Sequence, residues 1–251
     1  GGVDGARRGR STRVRAVIDK ARAFLVETLI DEGEGYTKQD KFYGGVGYGS
    51  DLRPDLANLE YALRALKETG LAANDPAWDK ALVFLQRTQN LTEVNDQKGA
   101  GNDGGFLYYP GFTYATSGGV TSYGSMTYAG LLSFIYAQVD KNDPRVASAF
   151  DWATKRWSLD ENPGMGQQGL YYFYNVLAKG LAAYGEDILI LPKDAQIHWR
   201  NEFIKKLVGL QKIDPKTGQG YWVNDEGRWW EADPVLVTSY SLIALEIALN
   251  L

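Results

Sequence analysis

Four times along the chain an apolar helical stretch runs into a loop of glycine and aromatic residues, and four times that loop leads into a second apolar helix. A unit of this kind cannot bury its apolar face alone, so neighbouring units must stack and share one core. The repeat is clearest where Lys20, Ala21, Phe24 and Leu25 stand at the same spacing as Lys80, Ala81, Phe84 and Leu85. In the first copy the loop follows as Gly44, Gly45, Val46, Gly47 and Tyr48; in the second, Gln89 precedes Gly104, Gly105 and Phe106. A looser third copy has Ala149, Trp152, Ala153 and Trp157 before Gly164, Gly166, Gly169 and Tyr171. The fourth keeps Phe203, Leu207 and Gln211 before Gly220, Tyr221 and Trp222. With Lys20, Lys80, Ser148 and Glu202 as equivalent starts, the intervals are 60, 68 and 54 residues. Such unequal periods suit helix pairs joined by loops of different length.

Apolar residues at i, i+1, i+4 and i+5 form one stripe on a helix and rule out the alternation of a strand. Each unit therefore opens with an amphipathic helix. Asn74-Asp75-Pro76 and Asn142-Asp143-Pro144 supply two of these with the same start, Asp as N-cap and Pro at the first helical position. The second helix of each unit is more apolar, and its predicted spans are roughly 55–69, 122–138, 169–184 and 235–249. Helices apolar nearly all round are buried on both sides. These four are predicted to form an inner layer and the opening helices an outer one.

Size and charge limit the function classes. A chain of 251 residues with 44% hydrophobic content can bury a sizeable core as one repeat domain, predicted over 15–251. Its net charge of −4 gives no broad basic field, so neither nucleic acid nor an acidic membrane surface is the expected partner. No apolar run approaches the roughly 18 residues of a membrane span. The absence of cysteine removes disulfides and thiolate metal sites and leaves the compartment open. The chain begins at Gly1 without methionine, which points to a natural start further upstream and leaves an export signal there open. Arg7, Arg8, Arg10, Arg13 and Arg15 form a local basic run without interleaved aromatics, so residues 1–14 are predicted to be a flexible, solvated leader.

The series Lys80, Ala81, Phe84, Leu85 and Gln89 followed by a glycine-aromatic loop resembles the QW motif of the prenyltransferase and squalene-cyclase repeat. The resemblance covers about Val17 to Leu251, and the stretch from Leu159 to Tyr172 is similar to one in uncharacterised bacterial proteins carrying this repeat. It implies an all-α chain of about four helix pairs, as a closed (α/α) toroid or an open arc, with a central apolar cavity. The motif residues are read as scaffold: a Gln at the outer-helix end satisfies open backbone groups, and the loop aromatic covers the junction.

The chemistries of that family need residues this chain lacks. A cyclase of that type protonates an alkene with a D-x-D-D acid cluster; the nearest approach, Glu231-Ala232-Asp233, has the wrong spacing. The prenyltransferase zinc site uses Asp, Cys and His, and here there is no Cys and one His, His198. A D-D-x-x-D magnesium motif, a G-x-S-x-G elbow and a phosphate-binding loop are absent too. No cofactor and no metal are expected.

Binding is therefore expected where the inner helices begin, with their N–H groups and positive dipole ends at one rim. Asp55, Asn58, Tyr123, Ser125, Gln168, Tyr172 and Asp233 are the candidate binding residues. The ligand expected there is apolar or polyhydroxylated, or else the concave face takes a protein partner as an interaction scaffold. A carbohydrate-active enzyme is the other alternative. Tyr43, Tyr48, Tyr108, Tyr109, Tyr114, Trp222, Trp229 and Trp230 lie near loops, Tyr with Arg could serve a lyase, and Asp103 with Asp233 could serve a hydrolase. The segment from Asn90 to Gly119 is long enough to be a lid.

Overall fold

The structure, a computed structural model, describes the backbone of residues 2–49 and 53–251 and the side chains of 12–49 and 53–251. The side chains of Arg7, Arg8 and Arg10 in the basic run lie outside the described residues. Among the described residues there are eight α-helices, and about half of the chain is helical. The opening helices of the four units, those expected to be outer, are α1 (Gly2–Glu27), α3 (Pro76–Thr88), α5 (Pro144–Lys155) and α7 (Trp199–Leu210). They alternate with α2 (Leu56–Glu68), α4 (Gly124–Tyr136), α6 (Leu170–Tyr184) and α8 (Pro234–Leu249). Helix α1 thus runs through the segment read as a leader. Asp75 and Asp143 cap α3 and α5 as expected, accepting from Ala77 N at 2.9 Å and Arg145 N at 3.0 Å. None of the described helices is long and apolar enough to cross a membrane.

The even-numbered helices pack in series, α2 on α4, α4 on α6 and α6 on α8, while α1, α3, α5 and α7 pack against members of that series. Helix α4 is buried continuously from Gly124 to Phe134, because it has an inner neighbour on each side and α5 behind it. Helix α8 departs from the expected two-sided burial. It ends the series, and Val235, Leu242 and Leu249 are at least half exposed or nearly so, at 73%, 49% and 50%.

The repeat has a specific structural content. Gly44 N donates to Ile30 O at 2.8 Å and Ile30 N to Gly45 O at 2.9 Å; Gly104 N donates to Asn90 O and Asn90 N to Gly105 O, both at 2.8 Å. Both glycine pairs then press on the next outer helix. Gly44 lies on the Lys80 carbonyl and Gly45 on the Phe84 ring, as Gly104 lies on the Ser148 carbonyl and Gly105 on the Trp152 ring. These contacts reproduce the register read from the sequence, in which Lys80 corresponds to Ser148 and Phe84 to Trp152. Phe84 and Trp152 are fully buried, whereas Phe24, at the matching position of α1, is 64% exposed, and Lys206 holds that position in α7.

Gln89 closes α3 and is fully buried, its amide nitrogen donating to Gly104 O at 3.0 Å and to Arg145 O at 2.8 Å. It thereby ties one outer helix to the first turn of the next. A Gln89→Leu substitution keeps the volume and strands the buried Gly104 carbonyl and the half-buried Arg145 carbonyl, so a loss of about 1 to 3 kcal/mol is expected in urea unfolding.

The all-α expectation omits two short antiparallel hairpins. Strand β1 (Ile188–Leu191) pairs with β2 (Ala195–His198), and β3 (Lys212–Ile213) with β4 (Gly220–Tyr221). In the first, Ile-Leu-Ile-Leu favours extended backbone, and Lys193 and Asp194 turn the chain at φ 64° and 59°, as a tight hairpin requires. His198 ends β2 on the exposed surface at the start of α7.

Candidate ligand-binding cavity

The first turns of the inner helices and the loops before them enclose a cavity of about 390 Å³. Ala57 and Tyr61 of α2, Ser125 and Met126 of α4, Tyr172 of α6, and Leu236 and Tyr240 of α8 reach its wall. Loop residues Tyr48, Tyr108, Tyr114, Tyr123, Trp229 and Trp230 complete it, with Gly169 and Glu231 between them. Nine of these side chains are aromatic. Across the gap between α2 and α8 the hydroxyls of Tyr61 and Tyr240 interact.

The mouth is held in a strained form. Trp229 and Trp230 are non-glycine residues at φ 56° and 67°, a conformation that costs on the order of 1 to 3 kcal/mol each and clusters at ligand sites. Neighbours fix Trp229 there: Arg228 lies over its ring at 4.3 Å and over Tyr114 at 4.9 Å, Tyr114 meets it edge-on at 5.5 Å, and Gly169 leaves it room. Trp230 itself is 81% exposed, a large apolar surface left open beside the cavity.

The seven candidate binding residues have different positions. Tyr123, Ser125 and Tyr172 line the cavity. Asp55 is the N-cap of α2, accepting from Asn58 N at 2.9 Å and Asn58 Nδ2 at 2.7 Å, and it stands behind the wall where it meets the Tyr108 hydroxyl. Burial pushes its carboxyl pKa up, against hydrogen bonds from Asn58 and Tyr108. Gln168 stands behind the mouth, accepting from Arg228 at 2.5 Å. Asp233 is exposed and caps α8 through Val235 N at 2.8 Å. Asp55, Asn58, Gln168 and Asp233 thus stand outside the wall: Asp55 and Asp233 are drawn to the backbone N–H groups of their helix starts, Asn58 donates to Asp55, and Gln168 accepts from Arg228.

Asp103 is likewise engaged elsewhere. It accepts from Ser122 Oγ at 2.7 Å and Trp152 Nε1 at 3.1 Å, so neither member of the Asp103 and Asp233 pair reaches the cavity. The long segment after α3 is pinned, with Asn90 Nδ2 donating to Val120 O at 2.6 Å and Ser122 Oγ at 2.7 Å, and it delivers Tyr108 and Tyr114 to the wall.

Three polar residues outside the candidate set shape the site. Buried Asn162 caps α4, its Oδ1 accepting from Ser125 N at 2.9 Å while its Nδ2 donates to Gln168 O at 3.1 Å. Buried Glu231 does the same for α6, accepting from Tyr172 N at 2.8 Å and Asn224 Nδ2 at 2.7 Å; burial raises its pKa against those bonds. Glu60, one turn beyond Ala57 on α2, is fully buried, and neither carboxylate oxygen has a hydrogen-bond partner among the described residues. Burial pushes its pKa up to about 7, against the attraction of Lys179 and Arg64. Glu60 was legible as an acid set in the apolar stripe Leu56, Leu59, Leu63 and Leu66. Comparison of the chain with protein-family models, curated proteins and solved structures gave no match.

Proposed function

We propose that this chain is a ligand-binding repeat protein of the prenyltransferase and squalene-cyclase type. Its four inner helices form an arc that the Tyr61 and Tyr240 contact draws toward a toroid. The cavity takes an apolar, ring-bearing or chain-like organic ligand and carries neither the cyclase acid motif nor the prenyltransferase zinc site. The observation that carries the reading is the aromatic cavity at the inner-helix starts, with two tryptophans held at positive φ at its mouth. Strained aromatics beside a preformed apolar concavity are what a binding site maintains and a purely structural loop does not.

Ala57 offers a way to close the cavity without touching the caps. Farnesol added to the full chain is expected to change tryptophan fluorescence saturably, and Ala57→Phe, which fills the cavity, to weaken that binding at least tenfold with the melting curve retained. Equal binding by the two proteins would sink the reading. A sugar-binding alternative draws on exposed Trp230 and Tyr48 and on Arg228 beside Tyr114. Saturable binding of cellobiose in place of farnesol would select it.

A further inference from the structure

Beneath the aromatic wall lies a second, polar layer. Tyr172, Asn175 and Lys179 follow one another at helical spacing on one face of α6, so they descend from the cavity into the interior. Ala57 and Glu60 descend in the same way on α2, with the partly exposed Arg64 one turn further on. The Tyr172 hydroxyl and Glu60 feel each other electrostatically, and Tyr136 from α4 and Tyr240 from α8 face the same region.

This layer is short of donors. Both Glu60 oxygens, Asn175 Oδ1 and the Tyr172 hydroxyl are buried without a hydrogen-bond partner among the described residues. Asn175 uses its Nδ2 on Tyr240 O at 3.4 Å. Arg64 is committed to Glu68 at 2.8 Å, and the Lys179 ammonium rests over the Tyr61 ring, 5.7 Å from its centroid. With Glu60 ionised, three of the four orphaned atoms accept only, and the fourth does either. An anion would add to the deficit. A group with several N–H donors and a positive charge would remove it, and the aromatic faces above would attract the same charge. Those faces already hold cations, Arg228 over Tyr114 and Trp229 and Lys179 over Tyr61.

We propose that the Glu60, Tyr172 and Asn175 layer receives the ammonium group of an organic amine whose apolar body fills the aromatic cavity. The inference rests on the cavity being a ligand site and names the chemical class of ligand. Lys179 then acts as an internal competitor for Glu60.

The test is calorimetric titration of the full chain at pH 8 with phenethylamine and with 2-phenylethanol, which has the same ring and no charge. The amine is expected to bind at least tenfold more tightly. Glu60→Gln should erase that preference and leave 2-phenylethanol binding unchanged, whereas Lys179→Met should enlarge it, a gain that damage to the fold could not produce. In the unaltered chain the preference should fade at pH 5, where Glu60 is protonated. The groups facing it from neighbouring positions are Arg64 and Glu68 of α2, Lys179 of α6, and Tyr136, Tyr172 and Tyr240, whose hydroxyls burial pushes further up from 10 and so keeps neutral at both values. Equal affinities for the two compounds, or a preference that survives Glu60→Gln, would overturn the proposal. If only the neutral compound binds, or farnesol binds and neither phenyl compound does, the ammonium site falls and the cavity stands; if none of the three binds, both fall.

Discussion

Glu60→Gln is expected to stabilise the ligand-free chain by about 3 kcal/mol at pH 8 and to change little at pH 4. The side chain is fully buried, and burial lifts its pKa from 4.5 to about 7 even with Lys179 and Arg64 nearby. A raised carboxyl pKa means that the folded state keeps a proton which the unfolded chain releases. Stability is therefore whole below about pH 4.5, declines as pH rises toward 7, and stays reduced above it. Glutamine has the shape of the protonated acid and no charge to desolvate, so it removes the loss without opening a cavity. In thermal unfolding of a chain this size the gain corresponds to roughly 6 to 12 °C at pH 8. A variant that melts with the unaltered protein at both pH values would mean that Glu60 is hydrated or paired in solution. A residue kept at a cost to stability, in the wall behind an aromatic cavity, belongs with the trade between stability and function found at binding sites.

The inner-helix starts show where sequence reasoning reached its limit. Helices and their order were legible because their cause is local: the i, i+3, i+4 stripe, the Asp-Pro starts and the recurrence of the glycine loop. The loop glycines could even be aligned before their contacts were known, Gly44 with Gly104 and Lys80 with Ser148. Positions within the cavity depend on which faces four separate helices turn toward one another, and no local pattern encodes that. Polar residues at the inner-helix starts were chosen for their dipole ends, yet Asp55 and Asp233 spend their oxygens on backbone caps. Tyr123, Ser125 and Tyr172 reach the cavity because α4 and α6 start without a side-chain cap of their own. Their N–H groups are met from a distance by Asn162 and Glu231, 37 and 59 residues away in sequence. The hairpins were missed for a different reason: runs of four and two residues are too short for periodicity to speak.

Alanine at Gly44 or Gly104 is expected to cost roughly 2 to 5 kcal/mol, enough to remove a large part of the stability of a domain. Two penalties combine at each site. The backbone is left-handed, φ 80° at Gly44 and 85° at Gly104, where a Cβ collides with its own peptide. The added carbon would also overlap the Lys80 carbonyl at Gly44, and at Gly104 it would stand 2.5 Å from the Ser148 carbonyl oxygen. Those obstacles are backbone atoms of the next outer helix, so relief requires moving a whole unit of the repeat. Gly99 separates the two terms, with φ 82° and open space around its Cβ, so Gly99→Ala should lose only about 1 to 2 kcal/mol. Urea midpoints for the three variants give the comparison. If Gly44→Ala and Gly99→Ala shifted equally, backbone conformation alone would explain these glycines, and the idea that these two loops are seated on the helix of the following unit would fail. A larger shift at Gly44 and Gly104 assigns the excess to that seating, the contact through which one repeat positions the next and brings the four inner-helix starts around a single cavity.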